Sequence, residues 1–132
     1  MSDVREVFKQ NIPEVVIVTL STPRASDSPF AASISPPRLM ADCNANVVAA
    51  MQEFDVRKVV ILQAFGYEDH NHTDREVRES ELKFVLVRPS RLVESDVLEV
   101  HEWPVNRKGV SLMASASRKS VAHFLVDAAT KS

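Results

Sequence analysis

Glycine is scarce in this chain of 132 residues, which contains only Gly66 and Gly109. Many α/β proteins hold ligand phosphates with a glycine-rich turn, because the backbone N–H groups must approach the phosphate oxygens closely. Two glycines so far apart in the sequence cannot build such a turn. The sequence therefore excludes a phosphate-binding loop of the G-x-G-x-x-G type.

Cysteine and long apolar runs are also rare. Cys43 is the single cysteine, which excludes an internal disulfide and fits a reducing compartment. The longest apolar runs fall far short of the ~20 residues that cross a bilayer. Residues 1–6 are charged and lack the apolar core of a signal peptide. We therefore expect a cytoplasmic protein without membrane contacts.

The chain also lacks an excess of either charge. Its formal net charge is -2 and its pI is about 6.1, so no basic field favours nucleic acid. Hydrophobic residues make up 45% and charged residues 26% of the chain, which is typical of a soluble globular protein. The length indicates a single domain over residues 1–132.

Three apolar segments predict buried strands at residues 15–20, 57–64 and 84–87. The run Val59 to Leu62 is unbroken by polar residues, which indicates a strand covered on both faces, as in parallel sheets. It is the expected central strand. More exposed or shorter strands are predicted at 97–103 and 110–113, with a turn at 104–109.

Helices are predicted where apolar residues recur three and four positions apart. Val4, Val7 and Phe8 indicate a helix over residues 3–10, and a longer one is expected over 39–54. The pattern Thr73-x-x-Glu76 is a capping box, which predicts a helix from Asp74 to about Leu82. Ser115 or Ser117 is expected to cap a last helix with these residues on its apolar side: Val121, Ala122, Phe124, Leu125, Ala128 and Ala129.

The remaining segments are predicted loops, at 90–94 and in the proline-containing stretch 21–37. The second is long for a compact domain, which suggests a role at a binding face. Strands that alternate with helices imply a parallel sheet with right-handed crossovers. In such sheets ligands bind outside the carboxyl ends of the strands, so residues 63–66 are the first candidate site.

Several single residues have both a chemical and a structural interpretation. Arg88 and Arg91 follow a strand and could grip a phosphate, or pair with a surface carboxylate. Tyr67 as a catalytic acid would need a nearby cation, whereas its neighbours are acidic. The segment 69–74 contains an H-x-H pair, but capping residues explain it equally well and no metal site is predicted. Cys43 and Trp103 are expected to serve packing.

Four segments together carry a family resemblance: Asn46–Met51, Val56–Leu62, Arg78–Pro89 and Ser117–Leu125. The series resembles the second half of atypical short-chain dehydrogenase/reductases, namely the NAD(P)-binding NmrA-like and flavin-reductase-like Rossmann proteins. The fragment R-E-S-x-L-x-F-V-x-V-R-P is its most specific part. The resemblance implies a Rossmann sheet that binds NADP or NAD across the strand ends.

The resemblance also implies which residues border the cofactor. Residues near the ribose and diphosphate would be Leu20, Ser21, Thr22 and Pro23. Residues near the nicotinamide ribose would be Gln63, Ala64, Phe65 and Gly66. Pro89 and Arg91 would border the nicotinamide or the substrate. The substrate and the catalytic residues cannot be assigned from these motifs.

Two departures from the family pattern shape our expectations. The family begins with a strand and a glycine-rich turn that this chain lacks, so we expect a partial (truncated) Rossmann-like three-layer α/β fold with a mainly parallel sheet. Asn71 stands where members of the wider superfamily place the lysine of Tyr-x-x-x-Lys. The absent glycine-rich turn predicts weak or absent binding of NADP or NAD by this chain alone.

The missing half would also leave the strand at 15–20 with an apolar, unprotected edge, which predicts a homo-oligomer or a partner chain. Three functions stay open on the sequence. They are an NAD(P)H-dependent oxidoreductase, a non-catalytic regulatory or interaction module that retains the scaffold, and a degenerate truncation product.

Overall fold

The computed structural model describes residues 2–21, 25–26, 34, 36, 38–63, 68–99 and 114–131, with residues 2 and 68–71 described by their backbone alone. The elements in chain order are α1 (Ser2–Gln10), β1 (Val15–Val18), α2 (Leu39–Glu53), β2 (Lys58–Leu62), α3 (Glu68–Glu79), β3 (Lys83–Val87), β4 (Arg91–Val93), β5 (Ser115–Ser117) and α4 (Arg118–Thr130). The sequence of helices and strands is the α/β alternation that the apolar pattern predicts.

Within the described residues, the main sheet has three parallel strands in the order β1-β2-β3. Ile17 pairs with Val60, and Val60 pairs with Val85 on the other side. The strand β2 is therefore central, as predicted. A second, two-stranded parallel sheet joins β4 to β5 through Leu92 and Ala116.

The central strand is covered on both faces. Val59 and Ile61 belong to a core cluster with residues of α1, α2 and α3, whereas Val60 packs in a second cluster with Val121 and Leu125 of α4. Val59 and Val60 are 0% exposed. Three layers result, with α1, α2 and α3 on one face of the sheet and α4 on the other, which confirms the expected three-layer α/β fold.

The first helix shows which part of its apolar pattern faces the core. Phe8 is buried, and its ring lies 5.8 Å from that of Phe54, centroid to centroid. Val7 is 63% exposed, so this member of the apolar pattern faces solvent. The helix ends before Pro13, whose ring prevents a further helical turn, as predicted.

The third helix begins at Glu68, six residues before the predicted start at Asp74. Thr73 does not cap it, because Thr73 lies inside the helix and is 0% exposed. The helix ends at Glu79 rather than near Leu82, and Glu81 has a positive φ of 60°.

The predicted loop at 90–94 contains strand β4, whose partner β5 lies more than twenty residues further along the chain. This pairing is long-range, so the local sequence gives no sign of it. Residues 97–99 do not form the predicted strand. The rest of that segment, the turn at 104–109 and the strand at 110–113 lie outside the described residues.

The last helix begins as predicted, with Ser117 as its N-cap. The Ser117 Oγ accepts a hydrogen bond from the Ser120 backbone N–H at 2.9 Å, which satisfies one free donor of the first turn. Val121, Leu125 and Ala129 are buried. Ala122 is exposed, which corrects its assignment to the apolar side. Within the described residues, no helix has the length and apolar character that a membrane span requires.

Candidate functional site

The candidate site lies where the three parallel strands end. We call this region the C-terminal edge and define it as residues 19–21, 63 and 88–90, which directly follow β1, β2 and β3. The backbone N–H of Gln63 donates to the Val87 carbonyl at 2.8 Å, which continues the pairing of β2 and β3 by one residue. Because the strands are parallel, all three chain segments leave the sheet at the same side.

The predicted site residues occupy this edge to different degrees. Leu20 is 46% exposed and Ser21 is also exposed, just after β1. Gln63 is only 2% exposed, and Pro89 is half-buried. Arg91 begins β4, so its backbone is positioned by pairing with Ser115 in the second sheet. Thr22, Pro23, Ala64, Phe65 and Gly66 lie outside the described residues.

A polar network connects the ends of β2 and β3 to α3. Arg88 donates from Nε to the Gln63 Oε1 at 3.0 Å and from Nη2 to the Asp74 Oδ1 at 2.7 Å. Arg78 donates from Nε to the Asp74 Oδ2 at 2.8 Å. The Arg78 guanidinium also lies 5.3 Å from the centroid of the Phe84 ring. Asp74 therefore holds two arginines, one on its own helix and one at the strand end.

The carboxyl group of Asp74 is shifted in pKa by these neighbours. The hydrogen bond from Arg78 lowers the pKa most, and the charges of Arg78 and Arg88 add to that effect, while partial burial of Asp74 opposes it. The net result is a pKa below the ordinary value for aspartate. The charged form is therefore the one that the fold stabilises.

We expect acid to remove this part of the stability. A lowered pKa in the folded state means that Asp74 stabilises the fold above the unfolded-state pKa of ~3.9, and that the contribution disappears as the pH falls through the folded value. Urea unfolding between pH 7 and pH 2.5 should therefore show a steeper acid loss in the native chain than in Asp74→Asn. Parallel stability curves for the two proteins would refute this assignment.

A second polar contact joins α2 to α3. Asn44 is 1% exposed and donates from Nδ2 to the Met40 carbonyl at 2.8 Å and to the Thr73 Oγ1 at 3.3 Å. Nearby on α3, the Glu76 Oε1 lies 3.6 Å from the Arg38 Nη2. Among the described residues, two buried atoms make no hydrogen bond, the Asn44 Oδ1 and the Glu76 Oε2. Both are acceptors, which suit a donor group and not a phosphate.

The sequence patterns identified only part of these networks. The sequence leaves Arg88 open between phosphate contact and a carboxylate partner, and in the structure its side chain is paired with Asp74. Asn44 and Asp74 were not predicted to matter. Asn44 does leave a signal in the sequence, since it lies four positions from Met40 and four from Val48, and all three are buried. A polar residue on the apolar face of a helix needs a partner.

The C-terminal edge presents both hydroxyl groups and apolar surface. Exposed Ser21 and Leu20 and half-buried Ser90 offer hydroxyl and apolar surface, which suit a ribose and a flat ring. The two glycines of the chain, Gly66 and Gly109, lie outside the described residues. The first turn of α2 contains Asp42, which is unfavourable for an anion.

The remaining candidate residues lie only partly within the described chain, since the side chains of residues 69–71 are outside it. Within the described part of the chain, no group of three or more His, Cys, Asp or Glu side chains could hold a metal ion. Cys43 is a free thiol and is half-buried on α2. Tyr67 and Trp103 lie outside the described residues.

The chain is similar to NAD(P)-binding proteins in sequence and in structure. A family model described as NAD(P)H-binding matches residues 1–132. A solved Rossmann-fold NAD(P)-binding family protein from Shigella flexneri resembles the chain with a TM-score of 0.65 and 21% identity. The match covers 96% of this chain and 56% of that protein, so this chain spans a little over half its length. No curated protein matches the chain. These findings confirm the predicted NAD(P)-binding Rossmann-like character.

Proposed function

This chain belongs to the NAD(P)H-binding family, and from that premise we propose that its C-terminal edge is the nicotinamide-nucleoside part of a dinucleotide site. The observation that carries the proposal is the convergence of Ser21, Gln63 and Pro89 at the ends of three adjacent parallel strands. In open α/β sheets this is where ligands bind. The same edge offers no glycine-rich cradle, so we propose that binding by this chain alone is weak.

Each residue of the edge has a definable part in this proposal. Ser21 presents a hydroxyl that can bond a ribose, and Leu20 presents apolar surface for a ring. Gln63 is buried and holds Arg88, so its part is to fix the strand ends rather than to contact the ligand. When bound, the nicotinamide donates or accepts a hydride, and this chain's contribution is to orient it and exclude water from one face.

The finer family assignment is part of the same proposal. We propose that the chain is an NmrA-like or flavin-reductase-like member of the atypical short-chain dehydrogenase/reductases, with oxidoreductase chemistry if a complete site is assembled. The alternative is a non-catalytic module that retains the scaffold. The pairing of Arg88 with Asp74 favours this alternative, because it engages the arginine at the strand end internally. Turnover of NADPH with a flavin or quinone acceptor would exclude the module.

A calorimetric titration of this chain with NADPH and NADH tests the binding proposal. We expect a dissociation constant well above the micromolar range, because the diphosphate lacks its usual backbone donors. Micromolar or tighter binding would contradict the incomplete site. The absence of any binding at millimolar cofactor would contradict the site itself.

The free side of β1 supports a proposal about partners. In the described residues, β1 pairs only with β2, and none of its four residues is charged or a proline. Ile17 is 40% exposed on this strand. Unpaired apolar edges associate with further strands. We therefore propose that a second copy or another chain extends the sheet here, in a reducing, cytoplasmic setting that suits the free Cys43.

Oligomeric state tests the edge-strand proposal. We expect light scattering at micromolar concentration to give a mass above that of one chain, and Ile17→Lys to return it to the monomer, because a charge on an edge strand opposes pairing. Val7→Lys, at another exposed apolar residue on α1, is the matched control and should leave the mass unchanged. A monomeric native chain would contradict self-association.

A further inference from the structure

The polar network at the C-terminal edge contains an arginine at a position suited to a ligand and already paired with a carboxylate. Arg88 directly follows β3, and its side chain is 26% exposed, so it lies within reach of a ligand at the edge. An arginine binds a carboxylate and a phosphate through the same planar set of N–H donors. The 2.7 Å contact with the Asp74 Oδ1 therefore uses a donor that a phosphate would need.

The negative charge of Asp74 is balanced by a second arginine besides Arg88. Its other oxygen accepts from the Arg78 Nε at 2.8 Å, and that arginine is itself held over the Phe84 ring. If Arg88 turned to another anion, Asp74 would keep one cationic partner. The three charged side chains Asp74, Arg78 and Arg88 sum to +1, from two positive charges and one negative charge. The cluster therefore retains attraction for an anion.

We propose that Asp74 is an internal carboxylate that occupies Arg88 in place of a ligand phosphate, so that the C-terminal edge is autoinhibited toward phosphate-bearing ligands. Gln63 supports this arrangement, because its buried Oε1 accepts a hydrogen bond from the Arg88 Nε and fixes the direction of the guanidinium. The inference rests on the proposed function, since it assigns regulation to the same edge. Removing the Asp74 charge should weaken its hold on the Arg88 Nη2, so that a ligand anion can compete for that donor.

Calorimetric titration with inorganic pyrophosphate at pH 7 and low salt tests the proposal on the full chain. We expect Asp74→Asn to bind pyrophosphate about tenfold more tightly than the native protein, the order of effect for one charge at contact distance near a surface. Asp55→Asn is the matched control, because it changes the net charge equally at the opposite edge of the sheet. Asn also tolerates the positive φ of 56° at that position.

A double variant separates the masking of Arg88 from the change in local charge. The double variant Asp74→Asn with Arg78→Gln leaves Arg88 as the one charged side chain of Asp74, Arg78 and Arg88. The summed charge of the three positions therefore stays at +1. The change also removes the repulsion between the two arginines. We expect it to gain affinity as the single variant does. Unchanged pyrophosphate affinity in both variants would overturn the proposal, as would loss of the fold in both, because Asp74 would then be a structural ion-pair partner.

A parallel titration with NADH and NADPH distinguishes this proposal from the proposed function. A gain in pyrophosphate affinity without any binding of NADH or NADPH would support the mask and contradict the dinucleotide site. Binding of NADH or NADPH by the native chain, with no gain in pyrophosphate affinity in the variants, would support the dinucleotide site and contradict the inhibitory role of Asp74.

Discussion

Ile61→Ala should lower the free energy of unfolding by about 2–5 kcal/mol, the range for removing a buried isoleucine side chain and leaving a cavity. Ile61 is 1% exposed in the central strand and belongs to the core cluster shared by α1, α2 and α3. Whole domains are stabilised by only ~5–15 kcal/mol, so this change alone threatens the fold. Urea denaturation monitored by circular dichroism measures the loss.

Ile17→Ala is the matched control, because it makes the same substitution on the neighbouring strand β1, where the side chain is 40% exposed. The Ile17 side chain buries less apolar surface on folding than the Ile61 side chain does. We therefore expect the free energy of unfolding to fall by less than ~1.5 kcal/mol at concentrations where the chain is monomeric. Equal losses at the two positions would mean that β1 is as enclosed as β2. That result would contradict the central position of β2 in the sheet.

Arg88→Ala should lower the free energy of unfolding by about 1–3 kcal/mol, the cost of removing a charged donor from buried and partly buried acceptors. Arg88 is the donor that links Gln63, which is 2% exposed, to Asp74 on α3. Bulk water cannot easily replace the bond to a buried amide. The change should also loosen the ends of β2 and β3, detectable as faster amide exchange at Gln63.

Two further variants define the role of Arg88. Arg88→Lys retains the charge but loses the fork that serves two acceptors at once, so we expect a partial loss of stability. Arg57→Ala removes an arginine that pairs with Asp55 and is 76% exposed, and such surface pairs contribute at most ~1 kcal/mol. If Arg57→Ala were as costly as Arg88→Ala, the network at the C-terminal edge would have no special structural role.

The central strand could be predicted because the pattern that indicates it lies in consecutive residues. Four consecutive aliphatic residues, Val59 to Leu62, can be buried only if both faces of the strand are covered, and the two core clusters on either side of β2 cover them. The helix at 39–53 was equally visible, because its buried residues recur with helical spacing. The cap at Ser117 followed from side-chain chemistry at one position.

Elements that depend on distant partners were not visible in the sequence. The β4 strand exists because Arg91 to Val93 pair with residues 115–117, and no local pattern at 90–94 indicates this. Thr73 was predicted to cap a helix because of Glu76 three positions later, but it is buried against Asn44 of another helix. A capping box is a local signal, and tertiary packing overrode it.

The strand-end positions of the candidate residues were predictable, and their side-chain contacts were not. The rule that ligands bind at strand ends located Gln63 and Pro89 at the edge. It could not show that Gln63 is buried and bonded to Arg88, because that contact joins residues 25 positions apart. The participation of Asp74 was also hidden, since its predicted place was the first residue of a helix rather than the middle of one.

The most direct test of the account is to follow NADPH binding residue by residue, by the amide resonances of the isotope-labelled chain. We expect weak binding, saturating well above micromolar cofactor, to perturb the amides of residues 19–21, 63, 88 and 90 at the C-terminal edge. Residues 55–58, at the opposite edge of the sheet, should stay unperturbed. Perturbation of residues 55–58 with an unchanged C-terminal edge, or no perturbation at millimolar cofactor, would contradict the account.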